Sequence, residues 1–151
     1  MISLNITVNG MDEIVIGLKA FGAEGYKALQ KGLAWAAEET DKEAHKLLTG
    51  PKTPGSYPVT VKTGNLRRLL DFVPPGQTKT SGDLTWTAGP LQAKVYNSAQ
   101  YSRVIHEGEG SSKKYGKRPF LTDALDKVMG GGLFAQHMSG ELDEALKESF
   151  G

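Results

Sequence analysis

Residues 26–48, YKALQKGLAWAAEETDKEAHKLL, set the architecture around which the rest of the sequence is arranged. Apolar and small side chains recur there every three or four residues, which is the spacing of one helix face. They are Tyr26, Leu29, Leu33, Ala37, Thr40, Ala44 and Leu47. Charged side chains fill the opposite face, where Glu38 and Lys42 have the spacing of a favourable ion pair. About 23 residues at 1.5 Å each span roughly 35 Å, so we expect one long helix lying on a sheet.

A strand precedes this helix near the amino terminus. Ile2, Leu4, Ile6 and Val8 alternate with polar residues, and a period of two predicts a half-buried strand. Residues 11–20 then have the apolar spacing of a short helix.

A long loop follows the helix. Residues 50–61 include three prolines and two glycines, and a loop of this length suggests a functional contact. Thr63 is then expected to cap a short helix, and Gly64 permits a tight turn at its start. That short helix carries Leu66 and the pair Arg67-Arg68.

The middle of the chain is predicted to be rich in β-structure. Phe72 and Val73 begin a strand that the Pro-Pro-Gly sequence at 74–76 interrupts. The polar segment 77–82 is expected to be turn-like. Alternating apolar residues at 84–88 and 93–96 predict two further strands, and the turn at Gly89-Pro90 between them predicts an antiparallel hairpin.

The last third of the chain is predicted to be helical around one loop. Residues 99–105 indicate a short helix, and residues 107–117, rich in glycine and charge, indicate a mobile loop. Pro119 suits the first turn of the next helix, which should end at the glycines 130–132. The apolar stripe of that helix is Phe120, Ala124, Leu125 and Val128. A final amphipathic helix is expected from Phe134, Met138, Leu142, Leu146 and Phe150, with Gly140 as a point where it could divide.

Together these elements predict an α+β fold. A small antiparallel sheet packs against the long amphipathic helix, with long loops and a carboxyl-terminal helix. We expect residues 1–129 to form the domain and residues 130–151 to form a helical extension.

Composition narrows the classes of function. The formal net charge is +1 in 151 residues, so a globally basic nucleic-acid binder is not indicated. The absence of cysteine fits a reducing cytosol and excludes thiol chemistry. We see no signal peptide and no apolar run near the roughly 18 residues of a membrane span, so no membrane partner is expected.

The sequence offers no convergent catalytic set. His45 has helical spacing with Asp41, and we interpret the two as a surface pair. His106 followed by Glu107 and Glu109 lacks the spacing that places two imidazoles on one helix face. We therefore predict a protein that is not an enzyme, with no catalytic residue, no metal site and no cofactor.

A basic loop is the clearest candidate binding feature. Lys113, Lys114, Lys117 and Arg118 flank Tyr115, and positive charge beside an aromatic ring can grip phosphates and stack on bases. The alternative is a solvated loop without a ligand. The arginines at 67 and 68 have two interpretations, a salt bridge to a neighbouring subunit or one within the chain. Trp35 and Trp86 are expected in the core or at an interface.

Two stretches in this order resemble a known family. The first is Val-Lys-Thr-Gly-Asn-Leu-Arg-Arg at 61–68, after the long helix and the proline-rich loop. The second comprises Tyr101, then Ile-His-Glu-Gly at 105–108, then Arg-Pro-Phe-Leu-Thr-Asp-Ala-Leu at 118–125. This arrangement, over residues 11–129, resembles the neck and tail-completion proteins of siphophages. Its structural motif residues here are Thr63, Gly64, Leu66, Pro119, Phe120 and Leu121.

The resemblance implies a structural protein of the virion, made in the cytoplasm of a bacterial host. It implies a homo-oligomeric ring, hexameric or alternatively dodecameric, at the head–tail junction around the DNA channel. Its partners would be head-closure and tail-tube or tail-terminator proteins. We expect Tyr57, Arg67, Arg68 and Arg118 at subunit or ring contacts, and the lysines at 113, 114 and 117 facing channel DNA or a partner. The alternative function is a small nucleic-acid-binding module using residues 113–118.

Overall fold

A computed structural model describes residues 2–7, 22–48, 68–81, 83–99, 102, 106, 119–130, 136–137, 140–141 and 143–144. The helices and strands in these parts confirm the predicted α+β fold. In chain order they are β1 (Ile2–Thr7), α1 (Ala23–Leu47), β2 (Leu70–Val73), β3 (Thr78–Ser81), β4 (Leu84–Thr87), β5 (Gln92–Asn97) and α2 (Phe120–Gly130).

The long helix α1 is confirmed and begins three residues before Tyr26, after Gly22. Gly22 has φ 62, a backbone conformation that glycine adopts without steric cost. Thr40 lies in the buried stripe and satisfies its hydroxyl by donating to the Ala36 carbonyl at 2.7 Å. Many residues of the stripe are small, which lets other elements approach the helix closely. The buried set is Gly25, Ala28, Leu29, Gly32, Leu33, Ala36, Ala37, Thr40 and Ala44.

Tyr26 is the exception to the predicted helix face. Its side chain is 38% exposed, although the spacing predicted it on the apolar face. The spacing of residues gives the direction in which a side chain leaves a helix. Whether another element covers that side chain in the first helical turn depends on tertiary packing.

Strand β5 is the centre of a three-stranded antiparallel sheet with the order β1-β5-β2. Val95 lies opposite Leu4 on one side and opposite Phe72 on the other. These residues belong to the main core, which also contains the buried residues of α1 and α2. One face of the sheet therefore packs against the helices, as the alternation in β1 predicted.

The predicted hairpin between residues 84–88 and 93–96 is wrong. Strand β4 pairs with β3, and β3 is formed by the segment that we expected to be turn-like. The threonines of β3 and β4 lie opposite one another, and such β-branched residues suit strands. The Gly89 carbonyl does close a turn by accepting the Gln92 N–H at 3.2 Å, but this turn connects strands of two different sheets.

The two-stranded β3–β4 ribbon covers the second face of the main sheet. Val73, Ala88 and Tyr96 form a small core there, and Trp86 packs against it. The rings of Trp86 and Tyr96 stack with centroids 4.7 Å apart. The sheet is thus enclosed between helices and the ribbon.

Helix α2 packs closely against α1, and it begins directly after Pro119, as the sequence predicted. The Pro119 carbonyl accepts the Asp123 N–H at 2.8 Å, which closes the first turn. Phe120 and Leu121 are both buried. Leu125 of the predicted stripe is only half-buried, and Leu121 takes a place in the core that the spacing did not predict.

An ion-pair network also joins the two helices. Glu43 of α1 accepts Lys46 at 2.9 Å and Lys127 of α2 at 3.1 Å. These hydrogen bonds, the one from Lys46 first, hold the pKa of Glu43 below its ordinary value. The predicted pair of Lys42 with Glu38 is also present, at 3.6 Å.

Several predictions fall outside the described residues. They are the helix at 11–20, the loops at 50–61 and 107–117, and most of the short helices at 63–68 and 99–105. Within residues 136–144, those that the structure describes are helical, Gly140 included. The apolar positions of the predicted last helix lie outside them, and the boundary at residue 130 stays a prediction.

We predict that Phe120→Ala lowers the free energy of unfolding by about 3–5 kcal/mol, because a fully buried ring is lost and leaves a cavity. Thr122→Ala, at an exposed position of the same helix, is the control and should change it by less than about 0.5 kcal/mol. Urea denaturation measures both. Equal stability of the two variants would contradict the assignment of Phe120 as the anchor of α2.

Candidate functional site

A cluster of charged and polar side chains lies where α1, the main sheet and the ribbon meet. It consists of Asp41 from α1, Asp71 from β2, Lys79 from β3 and Tyr96 from β5, and we call it the Asp71 cluster. Strand register brings two of its members together, because Asp71 lies directly opposite Tyr96.

The Asp71 carboxylate accepts several donors. The Lys79 ammonium lies 3.2 and 3.3 Å from its two oxygens. The Tyr96 hydroxyl donates to Oδ2 at 3.4 Å, and the backbone N–H of Phe72 donates to Oδ1 at 2.8 Å. Lys79 also lies 4.7 Å from the centre of the Phe72 ring, which adds a cation–π attraction. One carboxylate therefore ties the ribbon to the main sheet.

Asp41 is the unusual acid of the cluster. Its side chain is only 15% exposed, and no described residue donates a hydrogen bond to its buried Oδ1. Burial, and then the negative charge of Asp71, raise the pKa of Asp41 to about 7. Its other oxygen lies 3.5 Å from Nε2 of His45. The predicted surface pair is present, but its acid is not at the surface, because α1 turns Asp41 inward.

Tyr96 is held as a hydrogen-bond donor. Burial, and then the neighbouring Asp71, raise the pKa of Tyr96 to about 12, so the hydroxyl keeps its proton at physiological pH. Since Asp71 already accepts Lys79, Tyr96 and a backbone N–H, it is poorly placed to remove a proton from a substrate. The geometry of the Asp71 cluster suits a junction between structural layers better than a reactive centre.

The other two histidines lie in aromatic contacts. His106 is buried and meets the Phe120 ring edge-on at 5.2 Å. His137 stacks on Trp35 of α1 at 4.6 Å and lies 3.5 Å from Glu141. Over the described ranges, no three histidine or acidic side chains are grouped in a way that could hold a metal ion.

Few of the residues predicted to make contacts can be placed. Arg68 is exposed just before β2. The other candidates lie outside the described residues: Tyr57, Thr63, Gly64, Leu66, Arg67, Lys113, Lys114, Lys117 and Arg118. Pro119, Phe120 and Leu121 are described, and all three contribute to the start of α2. Within the part of the chain that the structure covers, no helix is long and apolar enough to cross a membrane.

The Asp71 cluster was not predicted from the sequence. Asp71 is a single acid within the segment Leu70–Val73, and Lys79 lies in a segment that we expected to be a turn. The only available signal was an acid within an otherwise apolar strand, which is costly unless the acid is paired. The sequence does not indicate which of the many lysines pairs with Asp71.

No family model matches this chain, and neither a curated protein nor a solved structure matches it.

We predict that Asp41→Asn stabilises the protein at pH 8 by about 1–2 kcal/mol, after discounting the pKa shift for solvent screening. Because the folded-state pKa of Asp41 is raised, the Asp41 carboxyl destabilises the fold only when it is ionised. The unmodified protein therefore has its full stability below the ordinary pKa of 3.8 and loses part of it as the pH rises through about 7. The advantage of the variant should therefore vanish near pH 4.

Urea denaturation between pH 4 and 8 measures this effect. Asp126→Asn makes the same chemical change at an exposed position of α2 and serves as the matched control, with little pH-dependent change. A variant with Asn at 41 that is less stable than the unmodified protein at pH 8 would refute the account.

Proposed function

We propose that this protein is a structural subunit of a long-tailed bacteriophage that forms a ring at the head–tail junction, as a tail-completion or neck protein. The observation that carries the proposal is the order of two motifs, Thr-Gly-Asn-Leu-Arg at 63–67 and Arg-Pro-Phe-Leu at 118–121. The first follows a long amphipathic helix, and the second begins a helix that packs on it.

The packing of the second motif supports this proposal. Phe120 and Leu121 are buried in the main core, so these two residues of the motif anchor helix α2. Arg118 comes directly before this anchored start. If residues 107–117 form the predicted loop, Arg118 stands between that loop and an anchored helix, a position suited to meeting a neighbouring subunit.

A ring also requires two different contact surfaces on each subunit. Cyclic symmetry needs a heterologous interface, in which one side of a subunit meets a different side of its neighbour. In the proposal, residues 50–61 and 107–117 supply subunit and ring-to-ring contacts. The neighbours along the tail axis are the head-closure and tail-tube or tail-terminator proteins.

Nucleic-acid binding is the rival function, and the observation that favours it is the run of Lys113, Lys114, Tyr115 and Lys117. A free DNA-binding module would bind DNA as an isolated chain, with an affinity that falls steeply as salt rises. A ring subunit would meet DNA only in the channel of the assembled particle.

We predict that the purified protein forms closed rings, which negative-stain electron microscopy and light scattering would reveal over a range of protein concentrations. Added head-closure or tail-tube protein provides the assembly surface if rings need one. A protein that stays monomeric in both conditions but shifts DNA in a salt-dependent manner would reject the ring in favour of the rival.

We also predict that replacing Lys113, Lys114 and Lys117 together with alanine weakens the retention of DNA in assembled particles, because three positive charges facing the phosphates are lost. Nuclease sensitivity of packaged DNA measures the effect. Replacing the exposed Lys27, Lys31 and Lys42 of α1 removes the same charge elsewhere and is the control. Unchanged retention in the first variant would exclude the channel role.

A further inference from the structure

The two edges of the main sheet differ. At the outer edge of β2, the N–H of Phe72 is bonded to the Asp71 carboxylate at 2.8 Å. The Leu69 carbonyl, by contrast, accepts the Ser98 N–H at 3.2 Å across the sheet. Hydrogen-bonded pairs alternate along antiparallel strands, so Asp71 and Tyr96 are such a pair, whereas Phe72 and Val95 are not. The Asp71 side chain thus accepts a hydrogen bond from the N–H of Phe72, which points outward from the edge of β2.

This alternation also determines the other edge. Because Val95 does not bond to β2, its backbone groups point toward β1, where Leu4 lies opposite. The neighbouring residues of β1, namely Ser3, Asn5 and Thr7, therefore direct their N–H and carbonyl groups outward. The described residues place no strand against them.

Within its own six residues, strand β1 carries none of the features that usually protect an edge. Natural edge strands carry charges, prolines or bulges that prevent pairing with another chain. The sequence Ile-Ser-Leu-Asn-Ile-Thr has no charge and no proline, and all six of its residues pair in continuous register with β5.

The ribbon offers a second edge, strand β3, which carries one charged residue, Lys79. The Gln77 carbonyl accepts the Ala88 N–H at 3.0 Å, so hydrogen-bonded pairs continue at Lys79 with Trp86. The backbone groups of Thr78 and Thr80 consequently point outward from β3. No strand in the described ranges pairs with them.

These two edges lie on opposite sides of the molecule. Lys79 of β3 contacts Asp71 of β2, whereas Trp86 of β4 stacks on Tyr96 of β5. The ribbon therefore has β3 on the side of β2, and the main sheet has β1 on the far side of β5.

We propose that β1 of one copy of this chain pairs with β3 of the next copy, head to tail. The residues whose backbone groups point outward are short, polar and uncharged on both edges, namely Ser3, Asn5 and Thr7 of β1 and Thr78 and Thr80 of β3. The one charge of β3, on Lys79, is paired with Asp71 of the same chain. The two rows therefore match in hydrogen-bonding capacity and in polarity. Because the two edges differ and lie on opposite sides, the contact is heterologous and can repeat around a closed ring. The inference rests on the proposed function and names the strand contact that closes the ring.

Disulfide trapping tests the pairing, since the chain has no cysteine of its own. Hydrogen-bonded neighbours on antiparallel strands have Cα atoms about 5.5 Å apart, within the range that a disulfide spans. Asn5→Cys is combined with Thr80→Cys or, for the adjacent register, with Thr78→Cys. Mild oxidation should yield a ladder of linked dimers, trimers and larger species with one of these pairs.

Each single cysteine variant should yield no ladder, and Asn5→Cys with Thr85→Cys, on the other edge of the ribbon, is the matched control. A ladder from the control pair alone would overturn the choice of β3. Efficient dimers from Asn5→Cys alone would show symmetric pairing of β1 and overturn the head-to-tail contact. Only monomers from both test pairs would overturn the proposal altogether.

A second variant separates this inference from the proposed function. Asn5→Pro removes an outward N–H and leaves the hydrogen bonds between β1 and β5 in place, so the rings should be lost while the circular dichroism spectrum is retained. Asn5→Ala is the control and should keep the rings. Intact rings in the proline variant would refute the β1 contact but leave the ring function standing. No rings from the unmodified protein, alone or with added head-closure or tail-tube protein, would refute that function directly.

Discussion

The structure depends on strand β5 being enclosed on all sides. Its two edges pair with β1 and β2, its helix-facing side chains lie in the main core, and its opposite face is covered by the ribbon. Ala93, Val95, Tyr96 and Asn97 are all almost inaccessible to solvent. Because a strand buried in this way must satisfy all of its backbone polar groups, every other element is positioned relative to β5.

The enclosure continues past the end of the strand. The Asn97 side-chain oxygen accepts the Ala99 N–H at 3.0 Å, and the Ser102 hydroxyl donates to the Ala99 carbonyl at 2.8 Å. The Ser98 hydroxyl lies 2.7 Å from that of Ser81 on the ribbon. These local hydrogen bonds satisfy buried polar groups where the chain leaves the sheet. The contact between Ser98 and Ser81 also connects this segment to the ribbon.

The ribbon is held less by apolar burial than by specific contacts. Its small core is supplemented by the ion pair between Lys79 and Asp71 and by the stacking of Trp86 on Tyr96. Its outward threonines are exposed. Among the described residues, no further strand pairs with either edge of the ribbon.

Helical and strand periodicity was sufficient to predict α1, β1 and α2, because the direction of a side chain within one element depends only on local geometry. Pro119 and the glycine at 130 marked the ends of α2 for the same reason.

Pairing between strands was a different matter. The nearest apolar strand to β4 along the chain is β5, yet the partners of β5 are β1, some ninety residues away, and β2. The Asp71 cluster followed from that pairing, since its acids come from α1 and β2 and its lysine from β3. Local spacing therefore specified the elements and their apolar faces, whereas the partner strands, the inward turn of Asp41 and the open edges arose only when distant segments competed to bury the same central strand.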